Sequence, residues 1–303
     1  MINCSNGSSI HEFTIVAFSM SSPVQFELTL GIMIIYIITV LGNLTIIILV
    51  CLVQKLHTPM YFFLCNLAVI DVTSISSCVP KLLFITLSRD HLICFSCCMT
   101  QLFFFVLCAD AEICMLTSMA YDRYVAVCKP LQYYTIMKKN VYIVIAASCW
   151  LVGLVNALLH TILISLLEFC ASHDIHHFFC DLNALLALST TDTTSQKMLI
   201  FFELFAMFLL QLILTIASYI CIFSVILKIR SSAGRMKAFS SCTSHLITVI
   251  LFYGPALFLY MKSESEDSKE QDMLLSMLYL IVVPMLNPLV YSLRNKEVWG
   301  AIV

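Results

Sequence analysis

Several ionisable or amide side chains lie inside long apolar stretches of this 303-residue chain. They are Asp71, Asp110, Glu112, Asp122, Arg123, Glu203 and Asn287. Such groups are costly in hydrocarbon, so each must be paired, hydrated or used in a function. Asp122 and Arg123 are adjacent, and a carboxylate beside a guanidinium can form a fork-like ion pair whose release frees a cation for a partner. The alternative for Arg123 is a side chain that extends to the lipid headgroups.

The composition indicates that these groups belong to a membrane protein. Hydrophobic residues make up 61% of the chain and charged residues 11%, and the mean hydropathy is +0.98, whereas soluble domains carry about 25% charged residues. The net charge of −2 lacks the excess of Lys and Arg that nucleic-acid binding requires, so no nucleic-acid partner is predicted. The sequence contains no His-Glu-x-x-His or Gly-x-Ser-x-Gly motif, and we predict no enzymatic activity.

Seven apolar runs are each long enough to cross a hydrocarbon core of about 30 Å as a helix. They cover residues 24–52, 59–86, 95–127, 140–163, 196–229, 237–261 and 271–292. The sequence therefore predicts an all-α membrane protein with a seven-transmembrane helix bundle over residues 24–292. Residues 1–23 are predicted to form an extracellular N-terminal segment, and residues 293–303 a short cytoplasmic C-terminal segment.

The orientation of the spans follows from the loop charges, because Lys and Arg concentrate in cytoplasmic loops. Most of the 16 basic residues fall on one side, namely Lys55, Arg123, Lys129, Lys138, Lys139, Lys228, Arg230, Arg235, Lys237, Arg294 and Lys296. That side is predicted to be cytoplasmic, and an odd number of spans then places the N-terminus outside. Asn3 and Asn6 lie in acceptor sequons of that outer segment and are predicted glycosylation sites. No cleavable signal peptide is visible in the first 22 residues.

Six motifs, in order and at matching spans, resemble the olfactory receptors, a family of rhodopsin-like G-protein-coupled receptors. The most specific is the segment Met119–Cys128 at the inner end of the third span, which includes Asp122, Arg123 and Tyr124. The others are Gly42 with Asn43, the segment Leu56–Leu64, Asp71, the segment Lys237–Leu246 and the segment Pro284–Tyr291. The resemblance implies a multi-pass receptor of the plasma membrane that detects small volatile odorants. It also implies coupling to a stimulatory or olfactory heterotrimeric G protein and cyclic AMP signalling.

The resemblance also assigns two groups of polar residues. It implies that a switch engaging the G protein is formed by Asp122, Arg123, Tyr124, Tyr219 and Tyr291, with the basic side chains near residues 228–237 and 294–296 bordering the docking cleft. It places Asp71 and Glu112 opposite each other near Asn43 and Asn287. Two carboxyls so placed require a shared proton or a cation, so a bound sodium ion is one expectation and two protonated acids in a hydrogen-bonded network are the alternative.

A ligand cavity is implied by the same mapping onto the family. Its predicted wall comprises Phe105, Val106, Ala109, Asp110, Glu203, Met207, Tyr253, Ala256, Tyr260 and Tyr279. Asp110 lies two positions from Glu112, about 200° around the helix, and therefore faces elsewhere. An acid is not the usual residue there, and we hypothesise a preference for hydrogen-bonding or basic volatile ligands. For any single wall residue, helix packing is the alternative.

The cysteines and histidines near the outer helix ends carry the remaining predictions. By resemblance Cys98 pairs with Cys180, whereas Thr190 stands where the family's usual partner of Cys170 is expected. Cys170 is therefore either a free thiol or paired with Cys97, Cys94 or Cys4. Metal binding is the alternative for the cluster formed by His173, His176, His177 and Cys180. We predict no metal or cofactor other than the sodium ion.

Two other classes of function remain as alternatives to an odorant receptor. One is a non-olfactory rhodopsin-like receptor for a small amine, which the motifs at spans two, three and six disfavour. The other is an ion-coupled transporter that uses the intramembrane acids as an ion path. A transporter predicts inverted repeats or matched broken helices, and the sequence shows no internal repeat. The partners we predict are thus an odorant, a G protein and membrane lipids.

Overall fold

The computed structural model describes residues 12–17, 22–88, 90–170, 172–261 and 268–294. Its helices are α1 (Ser22–Leu52), α2 (Pro59–Ser88), α3 (Phe95–Cys128), α4 (Tyr133–Ile136), α5 (Lys139–Ser165), α6 (Leu182–Leu188), α7 (Thr194–Glu203), α8 (Leu209–Leu227), α9 (Ser232–Met261), α10 (Ser268–Met277) and α11 (Val283–Arg294). A π-helical turn over Leu204–Phe208 joins α7 to α8, and another over Leu278–Val282 joins α10 to α11. The predicted glycosylation sites Asn3 and Asn6 lie outside the described residues, as do residues 295–303.

The long apolar helices match the runs found in the sequence. Within the described residues, six helices are long and apolar enough to cross a membrane: Pro23–Leu52, Pro59–Ser88, Phe95–Cys128, Lys139–Ser165, Thr194–Leu227 and Met273–Tyr291. Helix α9 covers the remaining run, but it begins at Ser232 rather than at residue 237. The Ser231 hydroxyl accepts a hydrogen bond from the Gly234 N–H (3.3 Å), so a polar cap starts this helix before its apolar part. The described helices make the chain a multi-pass membrane protein.

Helix α3 is the central helix, in contact with α2, α5, α8 and α9. The approach to α5 is closest at Gly153, where an added Cβ would lie 2.6 Å from the Leu107 carbonyl oxygen and 3.3 Å from the Ala111 nitrogen. Backbone atoms cannot move aside as a flexible side chain can. Gly153 is therefore required by the spacing of the two helices.

Substitution Gly153→Ala is expected to destabilise the protein by about 1–3 kcal/mol, because the methyl group overpacks this helix contact. Gly31→Ala is the matched control, since no atom of the described residues lies within 4 Å of its added Cβ and alanine is the better helix former. Thermal unfolding of the purified receptor in detergent should show a lower midpoint for Gly153→Ala alone. Equal midpoints for the two variants would contradict the close packing.

A small sheet covers one end of the bundle, and the sequence analysis did not predict it. Strand β1 (Glu12–Ile15) lies between β2 (Leu92–Cys94) and β3 (Asp174–Ile175), antiparallel to β2 and parallel to β3. In the register, Phe13 lies opposite Ile93. The Phe13 ring is fully buried and meets the Phe169 ring edge-on at 5.3 Å. This aromatic contact fixes β1 to the long connection that follows α5.

Candidate functional site

A cavity of about 210 Å³ lies among α3, α5, α7, α9 and α10, beneath the start of α6. Seven of the predicted wall residues line it: Phe105, Val106, Ala109, Asp110, Glu203, Met207 and Tyr279. The lining residues that sequence analysis missed include Ile113, Asn156, His160, Asp181, Leu182, Asn183, Ile200, Phe208, Phe252, Pro255, Leu275 and Ser276. Pockets for drug-sized ligands span about 300–1,000 Å³, so this cavity suits a smaller molecule.

Tyr253 lies outside the cavity lining, unlike the prediction. Its ring packs against Phe208 at 5.0 Å and Phe252 at 5.3 Å in the core between the helices. Successive residues of a helix point about 100° apart, so the neighbouring Phe252 reaches the cavity instead. The side chains of Ala256 and Tyr260, the other two predicted wall residues on α9, lie outside the described part of the chain.

One side of the cavity carries a group of polar side chains, which we call the polar wall: Asp110, Asn156, His160 and Glu203. The His160 Nε2 and the Glu203 Oε2 form a hydrogen-bonded contact that joins α5 to α7. Asn156 lies beside the Asp110 carboxyl, and Glu203 is close enough to Asp110 for an electrostatic interaction. A histidine inside the fourth apolar run was the available signal for His160, because a polar group in hydrocarbon needs a partner.

The cavity roof is held by a disulfide and an amide. The structure has a disulfide between Cys98 at the start of α3 and Cys180 in the long connection, the pair that the family resemblance implies. The Gln101 side chain accepts the Cys180 N–H (2.8 Å) and donates to the Ser77 carbonyl (3.0 Å). The roof is thus tied to both α3 and α2.

Asp181 continues this roof as the N-cap of α6. Its Oδ1 accepts the N–H groups of Asn183 (2.9 Å) and Ala184 (3.1 Å). A carboxylate is well placed at a helix N-terminus, where it satisfies free N–H groups. Asp181 and Asn183 also line the cavity, so the cap fixes polar atoms in the cavity roof.

The other outer cysteines resolve most of the alternatives left open by the sequence. Cys94 and Cys97 are bonded to each other, so neither is the partner of Cys170. Cys170 is itself disulfide-bonded, and the hypothesis of a free thiol is wrong. Cys4, the third candidate partner, lies outside the described residues. In the ranges that the structure covers, no group of three or more His, Cys, Asp or Glu residues is arranged to hold a metal ion.

The polar residues predicted to hold a cation lie deeper in the bundle. The Asn287 amide donates to both oxygens of Asp71, at 3.0 and 3.3 Å. The Asn43 amide instead donates to two backbone carbonyls, those of Thr39 (3.0 Å) and Pro284 (3.1 Å). Asn43 therefore joins α1 to α11 through main-chain atoms.

Glu112 connects this deeper group to the cavity. The Tyr279 hydroxyl, on a residue that lines the cavity, donates to Glu112 Oε2 at 3.4 Å. Glu112 and Asp71 are buried and close enough to interact electrostatically. Glu112 Oε1 and Asn287 Oδ1 have no hydrogen-bond partner among the described residues.

At the other end of the bundle, Asp122 and Arg123 form the ion pair that their adjacency suggested. Asp122 Oδ2 accepts from Arg123 Nη2 (2.7 Å) and Nε (3.2 Å), and the exposed side-chain fractions are 0% for Asp122 and 15% for Arg123. The Tyr133 hydroxyl of α4 donates to Asp122 Oδ1 at 2.8 Å. Burial and the adjacent Asp122 carboxylate raise the pKa of Tyr133, so this phenol remains a donor at neutral pH.

A second polar contact lies near this pair, between α8 and α9. The His245 Nε2 lies 3.0 Å from the Leu116 carbonyl of α3, and its Nδ1 lies 2.6 Å from the Tyr219 hydroxyl. Because a carbonyl only accepts, Nε2 of the neutral ring donates and Nδ1 accepts from Tyr219. Sequence analysis selected Tyr219 but missed His245, although the histidine lies in one of the motifs used.

The other predicted switch residues lie around these contacts. Tyr291 is buried in the core cluster that includes residues of α1, α2 and α3, and Tyr124 is partly buried against the cluster of Ala120, Tyr219 and Ile222. The basic side chains Lys228, Arg230 and Arg235 are exposed at the ends of α8 and α9. The side chains of Lys237, Arg294 and Lys296 lie outside the described residues.

The fold and these sites define a multi-pass helical membrane protein with a cavity at one end and a buried Asp–Arg pair at the other. A family model described as olfactory receptor matches residues 32–303. Human olfactory receptor 8H3 is 42% identical over 100% of this chain and 97% of its own length. Human olfactory receptor 5B12 is 45% identical over 98% of this chain and 94% of its own length, and mouse olfactory receptor 5AR1 is 43% identical with 98% and 96% covered. The chain belongs to the olfactory receptor family, whose members are odorant-sensing G-protein-coupled receptors and not enzymes.

Proposed function

We propose that this chain binds a small volatile odorant in the cavity described above and then activates a stimulatory heterotrimeric G protein that raises cyclic AMP. The observation that carries this proposal is the cavity of about 210 Å³, which has mostly apolar and aromatic walls and a few polar groups. Small-molecule sites have this composition, because apolar contacts supply affinity and a few polar groups set orientation.

The proposed receptor is a seven-span bundle over residues 24–292 in the plasma membrane, with residues 1–23 outside and residues 293–303 in the cytoplasm. The six candidate spans and helix α9 support this number. The exposed basic residues Lys228, Arg230 and Arg235 support a cytoplasmic location for the end that carries Asp122 and Arg123. The Cys98–Cys180 disulfide at the opposite end suits an oxidising compartment.

Signalling in this proposal depends on Arg123. Its guanidinium is held by the buried Asp122 carboxylate, and release of that pair makes the cation available to a partner on the cytoplasmic side. A ligand can drive the release only if it binds the released state more tightly than the paired state. Helices α3 and α9 contribute both to the cavity and to the inner end of the bundle, so they can transmit the change.

The proposal is tested by screening a panel of volatile odorants on cells that express the chain with a stimulatory G protein and a cyclic AMP reporter. At least one odorant should raise cyclic AMP with a saturable dose dependence, and an N-terminal epitope should be stained on intact cells. Arg123→Gln is the matched control and should remove the response at equal surface expression. The proposal is wrong if no odorant accelerates nucleotide exchange on the stimulatory G protein, or if the epitope is stained only after permeabilisation.

We further propose that Asp71, Glu112 and Asn287 hold a sodium ion. Two buried carboxyls and two buried oxygens without a hydrogen-bond partner among the described residues form a donor set of the kind that a hard cation prefers. A sodium ion there supplies the positive charge that allows both carboxyls to be ionised. Asn43, which donates to main-chain carbonyls, positions α11 rather than the ion.

Sodium should therefore raise the thermal stability of the purified receptor relative to choline at the same ionic strength. At a concentration ten times the dissociation constant, one bound ion stabilises the folded state by about 1.4 kcal/mol. Asp71→Asn should abolish the difference, and Asp192→Asn, which changes an exposed acid, should retain it. An equal sodium effect in the wild-type chain and Asp71→Asn would contradict the site.

A further inference from the structure

We propose that the cavity selects odorants that carry a protonated amine, and that the Asp110 carboxylate is the counter-ion. The inference rests on the proposed odorant cavity and specifies the chemical class of its ligand. It depends on the charges of the polar wall and on the partners that each charged group already has.

The titratable acids of the cavity lining outnumber the bases. The lining contains the acids Asp110, Asp181 and Glu203 and the base His160, and no Lys or Arg among the described residues. Glu203 is paired with His160. Asp181 caps α6 through two backbone N–H groups. Two of the three acids thus already have hydrogen-bond partners within the protein.

Asp110 differs from the other two acids. In the described ranges, no Lys, Arg or His lies within ion-pair distance of its carboxyl. Its neighbours are the Asn156 amide, which is uncharged, and Glu203, which has the same sign of charge. An ionised Asp110 therefore receives no cation from the described protein groups, and a cationic ligand supplies one.

A protonated amine satisfies this requirement in both charge and geometry. An alkylamine is charged at neutral pH, as the lysine side chain is with a pKa of about 10.4, and its N–H groups can donate to a carboxylate in a charge-assisted hydrogen bond. The aromatic rings of Phe105, Phe252 and Tyr279 line the same cavity. They offer apolar contact to the hydrocarbon part of the ligand and can interact with the cation through their π-systems.

The contact between His160 and Glu203 strengthens this selection. Because His160 already contacts Glu203, Asp110 is the acid of the polar wall that has no basic side chain beside it among the described residues, and a single amine can bind to it. The contact also joins α5 to α7, which both line the cavity. A neutral Asp110 that donates a hydrogen bond is the competing arrangement, and it would favour ligands with an acceptor oxygen.

The test compares two isosteric pairs of volatile ligands: cyclohexylamine with cyclohexanol, and 2-phenylethylamine with 2-phenylethanol. Binding is measured by ligand-dependent thermal stabilisation of the whole receptor in lipid nanodiscs, without a G protein. At least one amine should bind about tenfold more tightly than its alcohol. Asp110→Asn should weaken the binding of that amine about 10- to 100-fold, as expected for loss of a charged hydrogen-bond partner, and change binding of the alcohol less than about threefold.

Asp192→Asn is the matched control, because it removes the same charge at an exposed position before α7 and should leave the amine preference unchanged. Retained binding of the alcohol shows that Asp110→Asn is folded. The inference is wrong if neither amine binds, if amines and alcohols bind equally, or if the preference survives in Asp110→Asn. Because this readout needs no signalling, an amine that binds without activating a G protein contradicts the proposed coupling and leaves the ligand class supported.

Discussion

Substitution Asp122→Asn should raise the ligand-independent cyclic AMP production of cells expressing this receptor by about tenfold at equal surface expression. The Asp122 carboxylate is fully buried and holds Arg123 through two contacts, at 2.7 and 3.2 Å. Hydrogen bonds to charged groups contribute about 1.5–3 kcal/mol. Loss of the negative charge should therefore shift the balance between paired and released arginine by one order of magnitude or more.

Two further variants distinguish release of Arg123 from general loosening of the helix end. Tyr133→Phe removes the hydrogen bond to Asp122 Oδ1 and leaves the ion pair with Arg123. A smaller rise in basal cyclic AMP, about two- to fivefold, is therefore expected. The double variant Asp122→Asn with Arg123→Gln should return cyclic AMP to the wild-type basal level or below, because the released cation is absent. An increase that persists in the double variant would show that Arg123 is not the group released.

The positions of the long helices were predictable because membrane burial requires apolar runs of a minimum length. Each predicted run coincides to within a few residues with a long helix or with two helices joined by a π-helical turn. The family motifs located Asp122 and Arg123 correctly at the end of α3. The prediction was less accurate for the start of α9, which begins at Ser232 rather than at residue 237. Residues 232–236 include Ser232, Gly234 and Arg235 and form no apolar run, and a hydropathy pattern does not detect a helix that extends beyond its apolar part.

The small sheet could not be predicted from sequence for a different reason. Its strands contain two to four residues each, which is too short for an alternating pattern. They pair segments that are far apart in the chain, so no local signal indicates the register. The buried Phe13, at the centre of this sheet, appeared only as one apolar residue in an outer segment.

Side-chain directions within the cavity required the structure because they depend on helix rotation. The sequence indicated a wall on α9, but it could not distinguish Tyr253 from Phe252, which point about 100° apart. The π-helical turns at Leu204–Phe208 and Leu278–Val282 each insert an extra residue into a turn, which changes the faces of the helices that follow. The pairing of His160 with Glu203 depends on the rotations of two helices together.

Substitution Ala109→Trp should raise the half-maximal odorant concentration by roughly 50-fold or remove the response. Ala109 lies on the cavity wall of α3, and an indole there would occupy much of a space of about 210 Å³. Loss of three buried methylene contacts alone costs a ligand about 2.4 kcal/mol, which corresponds to roughly 50-fold in affinity. Basal cyclic AMP should remain at the wild-type level, since the Asp122–Arg123 pair lies at the opposite end of the bundle.

The matched control places the same bulky ring where it meets no cavity. Ala147 is exposed on α5, so Ala147→Trp should leave the dose response of the same odorant unchanged within about threefold. Ala109→Ser adds one small polar atom to the wall and should retain most of the response. Full potency in Ala109→Trp would show that the odorant binds elsewhere. If both tryptophan variants lose the odorant response and show lower surface expression, the cause is impaired folding rather than exclusion of the ligand.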